Sequence, residues 1–110
     1  IDQIIECVAV EHNLYTDTEV ILFVKLNSNQ ILDNVLIKNI KSEIRTNLSP
    51  KHIPSKIFEV SDIPKTKSGK IVELSIKNII NGMEIENKNA LANPDCLKEY
   101  QSIYDLLKEN

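Results

Sequence analysis

Apolar residues follow one another almost without interruption in residues 20–26, which read Val-Ile-Leu-Phe-Val-Lys-Leu. Strands favour β-branched and aromatic residues, and an unbroken apolar run is typical of a strand that is buried on both faces. We therefore predict that this segment is the central strand of a sheet. Shorter apolar runs at 6–11 and 56–60 predict two more strands, with a polar connection over 12–17 and a turn at 27–30.

Helical spacing of apolar residues appears in three further segments. The first follows Asp33, which can cap a helix N-terminus, and is expected to end at 49–50. The second is expected to end at 81–82, because glycine adopts the left-handed backbone that follows a last helical turn. The third begins with Asn93 as the predicted N-cap and Pro94 at the first helical position. The apolar positions behind these predictions are Leu36, Ile37, Ile40, Ile44, Leu48, Val72, Ile76, Ile79, Ile80, Leu97, Tyr100, Ile103 or Tyr104, and Leu107.

The order of these elements predicts an α+β fold. Strand, strand, helix, strand, loop and two helices give a small two-layer domain, in which helices cover a three-stranded, mainly antiparallel sheet. A chain of 110 residues is the size of one ordinary domain, so residues 1–110 are predicted to form a single domain. The first residue is Ile1 and no cap precedes the opening stretch, which indicates a piece of a longer protein.

Charge and composition exclude several classes of function. The chain contains 13 lysine and arginine residues and 16 aspartate and glutamate residues, which gives a net charge of -3. This negative charge argues against a nucleic-acid partner. No apolar run approaches the roughly 18 residues of a membrane span. Cys7 and Cys96 are far apart in sequence and have no histidine at metal-ligand spacing, so we expect no metal site. No signal-peptide pattern opens the chain, which predicts a reducing cytoplasm and two free thiols that act as small hydrophobes; the alternative is that the two cysteines pair in a secreted domain. His12 and His52 are interpreted as surface or loop residues without a carboxylate partner.

Candidate chemistry is concentrated in residues 64–70, Pro-Lys-Thr-Lys-Ser-Gly-Lys, which we call the lysine loop. One interpretation is a solvated surface turn that cannot be part of a core. The other is an anion site, because Gly69 allows a close backbone approach and Lys70 beside it offers a compact cation. The loop is not a phosphate-binding P-loop, since that motif needs glycine and a hydroxyl where this chain has Pro64 and Ile71.

The lysine loop and its surroundings resemble a known enzyme family. Residues 64–71 follow the strand-like segment 57–60 and Asp62-Ile63, and together they resemble the last core motif of the adenylate-forming acyl-CoA synthetases. That motif lies in the small C-terminal domain of these enzymes. The upstream segment 48–57, Leu-Ser-Pro-Lys-His-Ile-Pro-Ser-Lys-Ile, is similar to the stretch that leads into the motif.

The tail of the chain narrows the resemblance to a subgroup. Residues 69–82, continued by Ala-Leu-Ala-Asn-Pro at 90–94, are most similar to the acetoacetyl-CoA synthetase subgroup. Glu73 departs from the pattern of many relatives, which carry arginine in this region. This departure weakens a generic acetyl-CoA or long-chain assignment and favours acetoacetate as the small carboxylic acid.

The resemblance implies a two-step ligase in which a carboxylate first reacts with ATP and the thiol of coenzyme A then displaces AMP. Lys70 matches the family's catalytic lysine, and Pro64, Thr66, Ser68 and Gly69 complete the substrate loop. A much larger N-terminal domain of the same protein is implied as the partner that binds most of the ATP, coenzyme A and Mg, so the fragment alone is expected to be inactive. The small domain is implied to rotate between the two steps.

Three points stay open at this level. Lys65 and Lys67 are interpreted as solvated, with the phosphates of coenzyme A as an alternative partner. Lys70 is expected to be accessible to a lysine acetyltransferase, which would remove its charge. The alternative functions are a non-enzymatic interaction module whose basic loop binds an acidic partner, and the lid of a ligase that loads a carrier protein.

Overall fold

The computed structural model describes residues 3–47, 53–85 and 88–108. The chain forms two compact units, Ile1–Val60 and Ser61–Asn110. The predicted end of the first helix at 49–50 and the residue His52 lie outside the described residues.

The first unit contains a sheet with the strand order β1-β2-β3. Strand β1 is Ile4–Asn13, β2 is Thr18–Leu26 and β3 is Lys56–Glu59. The first two pair antiparallel along their whole length, and β2 pairs parallel with the short β3. The prediction of a mainly antiparallel, three-stranded sheet in an α+β fold is therefore confirmed.

The predicted central strand is confirmed, and the first strand is longer than predicted. The four consecutive residues Ile21–Val24 of β2 are all buried, as a strand covered on both faces requires. In contrast, the prediction that residues 12–17 form a polar connection is wrong at its first two residues, because β1 continues to Asn13. His12 pairs with Glu19 and Asn13 with Thr18, so the connection shrinks to 14–17.

Helix α1, Asn34–Asn47, covers one face of this sheet. Its N-terminus is capped as predicted, since the backbone N–H of Leu36 donates to Asp33 Oδ1 over 2.9 Å. The buried residues Leu36 and Ile40 pack in one cluster with Leu22 and Val24 of β2. The helical spacing of the sequence thus corresponds to a real buried face.

The second unit is built on two helices, α2 at Glu73–Ile80 and α3 at Leu97–Lys108, which contact each other. Gly82 follows α2 with φ of 74°, as predicted from the glycine at that position. The buried residues of the two helices are Ser75, Ile76, Ile79, Ile80, Leu97, Tyr100, Ile103 and Leu107. Among the described residues, none of the helices is long and apolar enough to cross a membrane.

Candidate functional site

The lysine loop folds as a tight hairpin at the start of the second unit. Lys65 and Ile71 form an antiparallel bridge at its base. Above that bridge the N–H of Thr66 donates to the carbonyl of Lys70 over 2.8 Å, and the N–H of Gly69 donates back to the carbonyl of Thr66 over 2.9 Å. Backbone hydrogen bonds therefore fix Lys70 in place, although it lies in a loop.

The side chain of Thr66 adds a second brace inside the hairpin. Its Oγ1 accepts a hydrogen bond from the backbone N–H of Lys70 over 3.1 Å and lies 2.9 Å from the hydroxyl oxygen of Ser68. Hydroxyl residues commonly stabilise turns through such local bonds. Thr66 and Ser68, predicted as parts of the substrate loop, thus hold the backbone on both sides of the tip.

Gly69 supplies the backbone conformation that the turn needs. Its φ is 91°, a region that residues with a Cβ rarely adopt. A Cβ added at this position would have no heavy atom within 4 Å. Glycine is required here because of the backbone conformation and not because of crowding.

The tip and the base of the loop differ sharply in exposure. Lys67, Ser68, Gly69 and Lys70 are exposed, as the sequence predicts, so the ammonium group of Lys70 is available to an anionic ligand. Pro64 is fully buried, however. The expectation that no part of this loop is core is therefore wrong at its first residue, which anchors the hairpin.

Residues 91–93, which are distant in sequence, form hydrogen bonds to the base of the loop. The N–H of Ala92 donates to the carbonyl of Lys65 over 2.9 Å, and Leu91 forms an antiparallel bridge with Thr66. The side chain of Asn93 accepts a hydrogen bond from the N–H of Lys65 over 2.9 Å. Asn93 occupies the predicted N-cap position, before a 3₁₀ turn at Pro94–Cys96 that leads into α3. Its side chain makes no capping hydrogen bond, however, and is bonded to the loop base instead.

Two acidic side chains near this base were not singled out from the sequence. Asp62 Oδ1 accepts from the N–H of Ile63 over 2.9 Å, and its Oδ2 accepts from Asn93 over 2.8 Å. Glu99 accepts from the backbone N–H of Ser61 over 2.7 Å. An Asp directly before a buried Ile-Pro pair was the available signal for such a turn-stabilising residue.

His12, the histidine among the described residues, has a carboxylate partner in the first unit. His12 is in β1, and its Nδ1 is 2.7 Å from Glu19 Oε2, so the interpretation as a residue without a carboxylate partner is wrong. Burial raises the pKa of Glu19, but hydrogen bonds from Lys56 and His12 outweigh this effect and lower it.

Both cysteines are free, as predicted. Cys96 is half-buried, and burial together with nearby carboxylates raises the pKa of its thiol to about 11. Cys7 is exposed, in contrast to the expectation that it acts as a small hydrophobe. No group of three or more His, Cys, Asp or Glu side chains in the described ranges could hold a metal ion.

The lysine loop is suited to offering one lysine to an anion. Hydrogen bonds hold the backbone of Lys70 in place, and its charged side chain extends from an exposed tip on a hairpin that begins at the buried Pro64. A lysine has three donors and a compact charge, which suits a phosphate or carboxylate oxygen. Such a tip can complete a site on another surface.

Comparison with known proteins gives a family match over most of the chain. The AMP-binding enzyme C-terminal domain matches residues 2–70, so the match ends at Lys70. Acetoacetyl-coenzyme A synthetase of Rhizobium meliloti (strain 1021) is 41% identical over 105 residues, which are 96% of this chain and 16% of that enzyme. Acetoacetyl-CoA synthetase of Gallus gallus is 43% identical over 96 residues, 87% of this chain and 14% of that enzyme.

A solved structure shows the same likeness in three dimensions. Acetoacetyl-CoA synthetase from Streptomyces lividans matches with a TM-score of 0.83 and 31% sequence identity, over 96% of this chain and 16% of that chain. The chain therefore spans only 14–16% of the length of these relatives.

Proposed function

Because the chain belongs to the family of C-terminal domains of AMP-binding enzymes, we propose that residues 1–110 act as the small C-terminal domain of an acyl-CoA ligase. The proposed overall reaction converts acetoacetate, ATP and coenzyme A to acetoacetyl-CoA, AMP and diphosphate. Relatives that carry the acetoacetyl-CoA synthetase name support acetoacetate as the acid. Family membership also disfavours the alternative of a non-enzymatic interaction module.

The observation that carries this proposal is the position of Lys70 on a braced, exposed tip. In the first step the carboxylate of the acid attacks the α-phosphorus of ATP, which forms the acyl-adenylate and releases diphosphate. Both reactants are anions and repel each other. We propose that the Lys70 ammonium lies between the carboxylate and the α-phosphate oxygens and stabilises the negative charge of the transition state.

The size of this effect follows from the chemistry of the contact. A desolvated, charge-assisted hydrogen bond of this type contributes about 2 to 4 kcal/mol, or roughly 10² to 10³ in rate. Lys70 acts as an electrostatic clamp and transfers no proton. In the second step the thiol of coenzyme A displaces AMP, and we propose that the domain has then rotated so that Lys70 no longer faces the substrate.

The remaining substrates and partners are proposed to meet mainly on the large N-terminal domain of the same enzyme. The described residues offer no cluster of acidic, His or Cys side chains that fits Mg²⁺, and we propose that Mg²⁺ accompanies ATP on the N-terminal domain. The exposed Lys70 is a proposed target of a lysine acetyltransferase. The free thiols Cys7 and Cys96 support a reducing compartment, which we propose is the cytoplasm.

The test uses the full-length enzyme with Lys70→Ala and, as a matched control, Lys67→Ala. Both variants remove one exposed lysine from the same loop. Adenylation is measured as ATP–diphosphate exchange without coenzyme A, and thioester formation is measured from supplied acetoacetyl-adenylate. We expect Lys70→Ala to lose at least about 10² in adenylation and to keep the second step. We expect Lys67→Ala to adenylate like the wild type.

Two results would contradict the proposal. Equal loss of both half-reactions in Lys70→Ala would indicate a folding defect or a wrong assignment. Equal loss of adenylation in both variants would mean that only the total charge of the loop matters. Supplying a pantetheinyl carrier protein in place of coenzyme A separates the remaining alternative, because a carrier-loading ligase would use the carrier and leave coenzyme A unreacted.

A further inference from the structure

The segment 91–93 is bonded to the base of the lysine loop, although it is distant in sequence. Leu91 and Ala92 pair with Thr66 and Lys65 through backbone contacts. Asn93 then adds its side chain to the same edge. This segment lies beyond residue 70, where the family match ends, and belongs to the tail that resembles the acetoacetyl-CoA synthetase subgroup.

Asn93 makes three hydrogen bonds that use both ends of its amide. Oδ1 accepts from the N–H of Lys65 over 2.9 Å. Nδ2 donates to Asp62 Oδ2 over 2.8 Å and to the carbonyl of Ile63 over 2.8 Å. An amide carries both an acceptor and two donors, whereas a carboxylate or an aliphatic side chain cannot make this set of bonds.

The partners of Asn93 are themselves fixed. The hydroxyl of Tyr100, a residue with no exposed surface, donates to the carbonyl of Asp62 over 2.7 Å. Asp62 also accepts from the N–H of Ile63. Asn93 therefore binds the segment that enters the loop, and Asp62 of that segment is itself held by the buried Tyr100 of α3.

A short path of bonds leads from Asn93 to the reactive lysine. Asn93 holds the N–H of Lys65, and the next residue, Thr66, holds Lys70 through its backbone N–H and its Oγ1. A shift of the loop base would move Lys70 directly. Catalytic groups need placement within a fraction of an ångström, so a small shift costs rate.

We propose that Asn93 is a positioning residue for adenylation, which sets the lysine loop in register so that Lys70 meets the reacting anions. The proposal rests on the function proposed for Lys70. Asn93 touches no substrate and acts only through Lys65 and Thr66. Its loss is expected to lower the adenylation turnover number and to leave the binding of ATP and the thioester step unchanged.

The experiment compares four variants of the full-length enzyme. Asn93→Ala removes all three hydrogen bonds, and Asn93→Asp places a second carboxylate beside Asp62. The double variant Asp62→Asn with Asn93→Asp restores one amide and one carboxylate, so an amide donor again faces a carboxylate acceptor. Asn89→Ala removes an exposed asparagine in the nearby turn and serves as the control.

Three quantities are measured for each variant: amide hydrogen exchange of residues 64–71, the adenylation kcat and KM for ATP, and the thioester step from supplied adenylate. For Asn93→Ala we expect faster exchange in the loop and a roughly 10- to 100-fold lower adenylation kcat, with KM and the thioester step near wild type. Asn93→Asp should behave similarly, and the double variant should recover part of that loss, because a carboxylate at position 93 still cannot donate to the carbonyl of Ile63. Asn89→Ala should match the wild type.

Unchanged loop exchange or unchanged adenylation in Asn93→Ala would overturn the proposal. Equal losses in both half-reactions, or no recovery in the double variant, would also overturn it, because they indicate general damage to the fold. A Lys70→Ala enzyme that still adenylates at the wild-type rate would refute the proposed function, and this inference with it. Failure of the proposed function can thus be distinguished from failure of the Asn93 proposal, because it is seen in a variant in which Asn93 is intact.

Discussion

Replacing Gly69 by alanine changes the backbone of the lysine loop and almost nothing else. The position has a φ of 91°, and an added Cβ would meet no heavy atom within 4 Å. The substitution therefore introduces no clash. Its whole effect is the cost of holding a residue with a Cβ in a left-handed conformation.

The expected magnitude follows from that cost. A left-handed backbone disfavours a non-glycine residue by about 1 to 2 kcal/mol, which lowers the equilibrium constant for closing the hairpin by about 5- to 30-fold. Two of the amides that the closed hairpin protects lie on either side of Gly69: the N–H of Thr66, which donates to Lys70 O, and the N–H of Lys70, which donates to Thr66 Oγ1. We expect the hydrogen-exchange protection of both amides to fall by the same 5- to 30-fold.

The assay is amide hydrogen exchange of the chain, followed by NMR for single residues. Gly69→Asn should lose less protection than Gly69→Ala, because asparagine tolerates positive φ better. Gly82→Ala is the control: its Cβ would lie 2.8 Å from the hydroxyl of Tyr104, so it should disturb the end of α2 and leave Thr66 and Lys70 protected. Unchanged protection in Gly69→Ala, or a uniform loss over the whole chain, would refute the reasoning.

Two further predictions concern titrating groups. The pKa of Glu19 is lowered in the folded chain, so its contribution to stability is present above its ordinary pKa of 4.5 and is lost as pH falls through the lowered value. In urea titrations at pH 7, the free energy of unfolding of Glu19→Gln should be roughly 1 to 3 kcal/mol below that of the wild type, because the substitution weakens the hydrogen bonds to Lys56 and His12. This difference should shrink at pH 3, and a difference independent of pH would contradict the prediction. With a Cys96 pKa of about 11, its thiolate population at pH 8 is about 10²-fold below that of an ordinary thiol. Iodoacetamide should therefore alkylate the exposed Cys7 far faster than Cys96 in the folded chain, and should alkylate both cysteines equally fast in urea. Equal alkylation rates in the folded chain would contradict the burial of Cys96.

The sequence predicts a helix or strand well where neighbouring residues alone determine it. The apolar run of β2 has no competing interpretation, and Asp33 before α1 is a local cap that the structure contains. The end of β1 is different, because His12 and Asn13 are polar and look like a connection. Their strand conformation comes from antiparallel pairing with β2, which no local pattern reveals.

In the candidate site, too, the local features can be predicted from the sequence and the long-range contacts cannot. The exposure of Lys70 and the special backbone of Gly69 can be predicted from composition and from the properties of glycine. The attachment of the loop to Asn93 cannot, because it joins residues far apart in sequence. Locally, an Asn before a Pro predicts the N-cap position, which Asn93 occupies, but its side chain bonds to Lys65 and makes no capping hydrogen bond.

The most direct test of the central claim is to remove the charge of Lys70 without changing the backbone. Acetyl-lysine is installed at position 70 of the full-length enzyme and, in a matched protein, at position 67. Acetylation removes the positive charge and keeps the aliphatic stem, and an exposed loop lysine contributes little to stability.

The rate of adenylate formation and the melting temperature are then measured together. We expect acetylation at position 70 to slow adenylation by about 10² to 10³ at an unchanged melting temperature, and acetylation at position 67 to leave both near wild type. Wild-type adenylation by the enzyme acetylated at position 70 would contradict the claim that Lys70 stabilises the adenylation step.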